Sequence, residues 1–144
     1  MVRQDDLRRL ELEMGVLLRR IKRVLHERAT QVHPDLQPAA YLLLAHLTHN
    51  GPARASEISD VFALDKGAVS RHVQHLVELG LIERRRDPDD GRATILVPTP
   101  DGEARVAAVA VARRQQLEER LEGWSDSDLT TFIDGLSRYN RTLE

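Results

Sequence analysis

Apolar positions recur first as a long amphipathic helix. Between Asp5 and about Thr30, Leu7, Leu10, Met14, Leu17, Leu18, Ile21, Val24 and Leu25 return at three- and four-residue intervals, with charged residues between them. Such a stripe must be covered by something apolar. No adjacent segment supplies the cover, so the stripe is expected to meet either the far end of the chain or a second copy. Pro34 and Pro38 interrupt the pattern around His33 and Asp35, and a second helix is predicted from Pro38 to about Asn50, closed by Gly51-Pro52.

The densest patterning runs from Ala55 to Pro98. A short helix over Ala55 to Phe62 leads into the turn Ala63-Leu64-Asp65, where Leu64 is placed to plug the angle before the next helix. In that helix Val69, Val73 and Leu76, with Val77 alongside, share one face that must be buried. Winding at about 3.6 residues per turn puts Gly67, Arg71, Gln74 and Glu78 on the opposite side, with Ser70 and His75 on the flanks. Asp65 suits the N-cap, and Lys66, Gly67 and Ala68 form a first turn slim enough to approach a groove floor or a phosphate.

Leu81 to Arg86 and Thr94 to Pro98 are extended candidates separated by the turn-forming run Asp87-Pro88-Asp89-Asp90-Gly91. The pair predicts a hairpin whose charged tip projects from the body and carries Arg84, Arg85, Arg86 and Arg92. Helix, turn, helix and hairpin in this order make a winged helix-turn-helix, an architecture suited to straddling a phosphate backbone.

After the hairpin, Thr99 is expected to cap and Pro100 to open a helix reaching about Gly123, with Asp101 near its positive end. From Val106 to Ala112 this helix is apolar on every side, which predicts burial all round with a second subunit as one wall. Ser125-Asp126-Ser127-Asp128 is an acidic capping box opening a last helix through Leu129, Phe132, Ile133, Leu136 and Leu143. The expected fold is mainly α with a small β-hairpin wing. Residues 1–144 form one domain, in which 37–99 are the nucleic-acid-binding lobe and 1–36 and 100–144 are dimerisation helices.

Composition and charge change this picture in three ways. The absence of cysteine excludes disulfides, thiolate metal sites and thiol redox sensing. No apolar run approaches the ~20 residues of a membrane span, and the N-terminus lacks a signal-peptide core, so a cytoplasmic protein is expected. The net charge of −2 is unusual for a nucleic-acid binder. Attraction must then come from arginines segregated on one surface, since charges beyond ~8 Å are largely screened at physiological salt, and non-specific binding should be weak.

The string LDKGAVSRHVQHLVELGLIERRRDPDDGRATILVPTPDG resembles the MarR family of bacterial transcriptional regulators. The matching pieces are L-D-K before the second helix, V-S-R within it, the L-x-x-x-G-L-I-x-R exit, the D-P-x-D-x-R wing and the T-x-x-G start of the next helix. The similarity is specific over Gln37 to Gly102 and rests on helix order elsewhere. It implies a homodimer on double-stranded DNA, with Asp90 ordering the wing tip and Arg92 reaching into the minor groove. It also implies a small-molecule effector pocket between the terminal helices and the DNA module, lined here from His26, His33, Tyr41, His46 and the first half of the Pro100 helix. Two positions depart from the family pattern: Gly67 and Ala68 stand where hydroxyl residues are common, and Arg54 stands where a Thr or Ser cap would partner Glu57.

The expected DNA-contact set is Lys66, Gly67, Ala68, Ser70, Arg71, Gln74, His75, Arg84, Arg86, Asp90 and Arg92, with Arg71 placed to grip a guanine edge. Glu78 is left to solvent. The pairs His46 with His49 and His72 with His75 have a spacing that can present two imidazoles to a metal, to which His26 or His33 would add a third, but no acidic or thiol cluster accompanies them and no metal site is assigned. No nucleophile elbow, phosphate-cradling glycine loop or H-E-x-x-H motif is present, so neither an enzyme nor a cofactor is expected. The function that follows is a transcriptional regulator, a repressor of a pseudo-palindromic operator released by an effector. A winged-helix module that binds another protein through the same surface, and a metal-responsive regulator, stand as alternatives.

Overall fold

The computed structural model describes residues 1–144. Its elements in chain order are α1 (Val2–Val32), α2 (Pro38–Asn50), β1 (Ala53–Arg54), α3 (Ala55–Phe62), α4 (Lys66–Glu78), β2 (Ile82–Arg86), β3 (Thr94–Pro98), α5 (Pro100–Arg120) and α6 (Asp126–Arg141). The fold is mainly α with a small antiparallel sheet in the order β1-β3-β2. No helix is long and apolar enough to cross a membrane.

Two compact units divide the chain, Met1–Val109 and Ala110–Glu144, the boundary falling within α5. The first is built around α2. Pro38 occupies the first turn of α2, where its missing N–H has no intrahelical partner to lose. Gly51 ends the helix at φ 91°, a backbone conformation that a side chain would strain. Between those ends Ala40, Tyr41, Leu43, Leu44 and Leu47 are buried, and the helix packs against α1, α4 and β3. Ile58 of α3, Val69, Val73 and Leu76 of α4, and Leu81, Ile82 and Leu96 complete the core.

Only the last turns of α1 enter this core, through Ala29 and Val32. Further up the helix Leu7, Leu10, Leu17, Leu18 and Ile21 are exposed, so the predicted stripe exists and the single chain leaves it largely uncovered. Helix α1 also extends beyond its predicted ends at Asp5 and Thr30. The strand β1 was not foreseen, because two residues carry no periodicity; it is defined by Ala53 opposite Leu96 and Arg54 opposite Ile95. β2 starts at Ile82 rather than Leu81, since the Leu81 N–H still bonds back to the Leu76 carbonyl at 3.0 Å as α4 ends.

Thr99 secures the start of α5. Its hydroxyl donates to the Gly80 carbonyl at 2.7 Å and accepts the Gly102 N–H at 3.1 Å, while its own N–H reaches the Leu81 carbonyl at 3.0 Å. Gly102 lies so close to the Leu81 backbone that a β-carbon there would overlap the Leu81 carbonyl oxygen. One turn on, the Arg105 guanidinium donates to the Val32 carbonyl at 2.8 Å and so links α5 to the end of α1. The segment Val106 to Ala112, expected to be buried all round with a second subunit as one wall, is only partly enclosed by its own chain. Val109 is buried, but Val111 is 70% exposed and Ala107, Ala108 and Ala112 also face outward. α5 ends at Arg120, before the predicted Gly123.

In the second unit the predicted capping box forms. Asp128 N–H donates to Ser125 Oγ at 3.0 Å, and Ser125 N–H donates back to the Asp128 carboxylate at 3.2 Å. The Trp124 and Phe132 rings meet edge to face, 5.6 Å between centroids. No residue of α6 is buried, and Phe132, Ile133 and Leu136 form an exposed apolar row.

Candidate nucleic-acid interface

The turn between α3 and α4 is tight because Ala63 adopts the left-handed conformation at φ 49°, which lets Leu64 N–H reach back to the Ser59 carbonyl at 3.1 Å. Leu64 is half-buried against the core, in the plugging role its position predicts. Asp65 caps α4 as expected, its Oδ1 accepting the Ala68 N–H at 2.7 Å. The buried face of α4 is Val69, Val73 and Leu76. Lys66, Gly67, Ser70, Arg71 and Gln74 are exposed, while Ala68, His72 and His75 are half-buried. Burial pushes the His72 imidazole below its ordinary pKa, and the neighbouring Arg71 and His75 push in the same direction.

Strand β2 brings its own arginines beside this helix. The Arg84 guanidinium donates to Gln74 Oε1 at 3.1 Å, and Gln74 Nε2 donates to Glu78 at 3.0 Å, so wing and helix are tied through side chains. Lys66, Ser70, Arg84 and Thr94, with Ser56 and Ser59 of α3, rim a depression of about 330 Å³ floored by Val69, Val73 and Leu96. Alternation along the strand puts Arg84 and Arg86 on one face and Arg85 on the other, where Arg85 pairs with Glu83.

The hairpin tip is ordered by two aspartates. Asp90 Oδ1 accepts the Arg92 backbone N–H at 3.0 Å, and the Asp90 carbonyl accepts the Ala93 N–H at 2.9 Å. Asp90 therefore grips the backbone of Arg92, and the Arg92 side chain is left exposed. Asp87 closes the base of the tip. Its N–H donates to the Ala93 carbonyl at 2.9 Å, and its Oδ1 accepts the Asp89 N–H at 2.9 Å.

Asp87 is also half of a feature that sequence reasoning missed. Arg54 stands at the N-cap of α3 and makes no capping bond there. Its guanidinium crosses instead to Asp87, with Nε 2.9 Å and a terminal nitrogen 2.7 Å from Oδ2. The Asp89 N–H and the Arg54 guanidinium hold the Asp87 carboxyl below the ordinary carboxylate range, and Asp87 raises the pKa of Arg54 in return. The two residues are far apart in sequence, and only the departure from a hydroxyl cap at Arg54 hinted that its side chain had another task.

The residues assigned to an effector pocket have individual surroundings. His26 is exposed on α1. The half-buried His33 accepts the Asp35 N–H on Nδ1 at 3.1 Å. Tyr41 is buried in the core. His46 meets the Phe62 ring edge-on at 5.5 Å and lies 3.0 Å from the Asn50 side-chain nitrogen. No three His, Asp or Glu side chains come together in a way that would hold a metal ion.

A short helix, a left-handed turn, a capped helix with an exposed polar face and an arginine-bearing hairpin define the winged helix-turn-helix class. The chain belongs to the MarR family of transcriptional regulators, whose family model matches residues 35–93. It is 31% identical over 143 residues to YxaD, an uncharacterised HTH-type transcriptional regulator of Bacillus subtilis, with 99% of each chain covered. The crystal structure of a MarR family transcription regulator superposes with a TM-score of 0.83 at 25% identity, covering 97% of this chain and 93% of the other. A MarR family regulator from Listeria monocytogenes, solved in complex with a 26mer DNA, shares the fold at a TM-score of 0.74 and 17% identity, covering 91% of this chain and 86% of its own.

Proposed function

We propose that the chain is a homodimeric, cytoplasmic regulator that binds double-stranded DNA sequence-specifically and represses transcription from a pseudo-palindromic operator. The observation that supports DNA reading best is the surface shared by helix and wing: Lys66, Ser70 and Arg84 rim one depression, and Arg84 of the wing donates to Gln74 of α4. In this reading α4 enters the major groove, where Arg71 pairs bidentately with guanine and Ser70, Gln74 and His75 contact neighbouring bases or phosphates. Gly67 and Ala68 allow the helix end to come close to the backbone. Lys66, Arg84 and Arg86 meet phosphates, and Arg92 enters the minor groove from the tip that Asp90 orders.

Dimerisation uses the terminal helices 1–36 and 100–144. The exposed apolar rows on α1 and α6, and the outward face of Val111, support that assignment. An effector bound near His26, His33, Tyr41 and His46 would release DNA by changing the separation of the two α4 helices. The second reading, a protein-binding winged module, draws support from the net charge of −2.

One experiment separates the two. DNA selected from a random pool, then bound with an affinity that falls steeply as salt rises, is the result expected of a DNA regulator, because each neutralised phosphate releases counterions. Failure to enrich any sequence, together with salt-insensitive retention of a protein partner, would overturn it.

A further inference from the structure

Beside the Arg84–Gln74 hydrogen bond, the wing of this chain is joined to the body of the molecule by an ion pair, Arg54 with Asp87. A two-stranded ribbon is weakly ordered by itself. Here β1 lies on the far side of β3 from β2, with Arg54 opposite Ile95 and Ile95 opposite Arg85. The Arg54 side chain spans from this position to the base of the tip, placing two guanidinium nitrogens on Asp87 Oδ2, while Oδ1 of the same carboxylate holds the Asp89 N–H. One carboxylate thus joins the helix-turn-helix body to the tip backbone. Asp87 is only 8% exposed and is the one charged residue buried in the chain, whereas the arginine side chain stays 40% open. Helix α3 receives no capping bond from Arg54 in exchange.

We infer that the Arg54–Asp87 pair sets the position of the wing, and that both are positioning residues through which Arg92 gains its effect on DNA, not DNA contacts themselves. The inference rests on the DNA reading proposed above. A charge-assisted pair in which two N–H donors converge on one carboxylate oxygen restrains direction as well as distance. An arginine delivered by an anchored tip loses less conformational freedom on binding than one delivered by a loose tip.

A double-mutant cycle between Asp87→Asn and Arg92→Ala tests this on the full-length protein and its selected operator. Asparagine keeps an acceptor for the Asp89 N–H but removes the charge that faces Arg54. Asp87→Asn is expected to weaken operator binding roughly tenfold and to lower the salt dependence, as loss of Arg92 itself does. Adding Arg92→Ala to Asp87→Asn should then cost little more, because the wing is already uncoupled. The same cycle with Arg54→Gln should give the same non-additivity, and it serves as the test should Asp87→Asn fail to fold. A merely structural role would lower thermal stability and leave affinity and salt slope of the folded protein unchanged.

Additive losses in the cycle would overturn the inference. So would an Arg54→Gln variant that binds weakly beside an Asp87→Asn variant that binds normally, which would make Arg54 a direct phosphate contact. If Arg92→Ala alone leaves affinity and salt slope untouched, it is the assignment of the wing to DNA that fails, and the pair loses its task with it.

Discussion

Two glycines show how differently one residue type can matter. At Gly67 a β-carbon would meet the Asp65 carboxylate at 3.2 Å, a side-chain contact that a small shift relieves, while Gly102 sits against the Leu81 carbonyl where no β-carbon fits. Gly102→Ala must push α5 away from the exit of α4, and is expected to cost about 1 to 3 kcal/mol in denaturant unfolding. His72 gives a pH signature. Its pKa is lowered in the folded chain, chiefly by burial, so the unfolded chain takes up the proton more readily. Stability is therefore full above the ordinary histidine range of about 6.5 and falls as pH drops from there through the lower folded value. His72→Gln should flatten that acid-side loss in unfolding measured across the range. At the interface, Arg71→Ala should cost about 1 to 3 kcal/mol on the selected operator and relax preference at one position per half-site. Arg92→Ala should weaken specific and non-specific DNA more evenly and reduce the salt slope by roughly one unit per wing.

Elements whose patterning is local were legible, and those defined by distant partners were not. The buried face of α4 follows from Val69, Val73 and Leu76, and its start from Asp65, because periodicity and capping act within one helix. Asp65→Ala should accordingly destabilise the protein by about 1 kcal/mol in thermal or denaturant unfolding. The capping box of α6 was legible for the same reason. β1 was invisible because two residues become a strand only through β3, more than forty positions later in the chain. Arg54 and Asp87 were each legible as charged residues, but their pairing depends on how the sheet folds back. The wholly apolar run Val106 to Ala112 says that cover is needed and not what provides it, and the single chain covers it only in part. The candidate interface was readable to the extent that α4 and the wing are local structures, and the anchor that joins them had to be seen in three dimensions.

On the scale of the whole molecule the exposed apolar rows are the largest unresolved feature of the single chain. Leu7, Leu10, Leu17, Leu18 and Ile21 on α1, and Phe132, Ile133 and Leu136 on α6, present more neighbouring apolar surface than scattered exposure accounts for. A symmetric dimer covers such rows with their own copies, and it sets two α4 helices under the same two-fold axis. Half-sites in the selected operator should then be related by that symmetry, with centres about one helical turn, ~10 bp, apart on one face of the duplex. Footprinting that finds a single asymmetric site would break the link between dimer and operator. Deleting the residues before Gly15 removes Leu7, Leu10 and Met14 from the α1 row but leaves Ala29 and Val32, the part of α1 that belongs to the core of the first unit. The DNA-binding lobe should therefore stay folded while the dimer weakens, seen as a concentration-dependent shift toward monomer in sedimentation and a concentration-dependent loss of operator affinity. A truncated chain that sediments as a dimer of undiminished stability would show that the N-terminal row is not part of the interface, and would leave α5 and α6 as the surfaces that hold the two copies together.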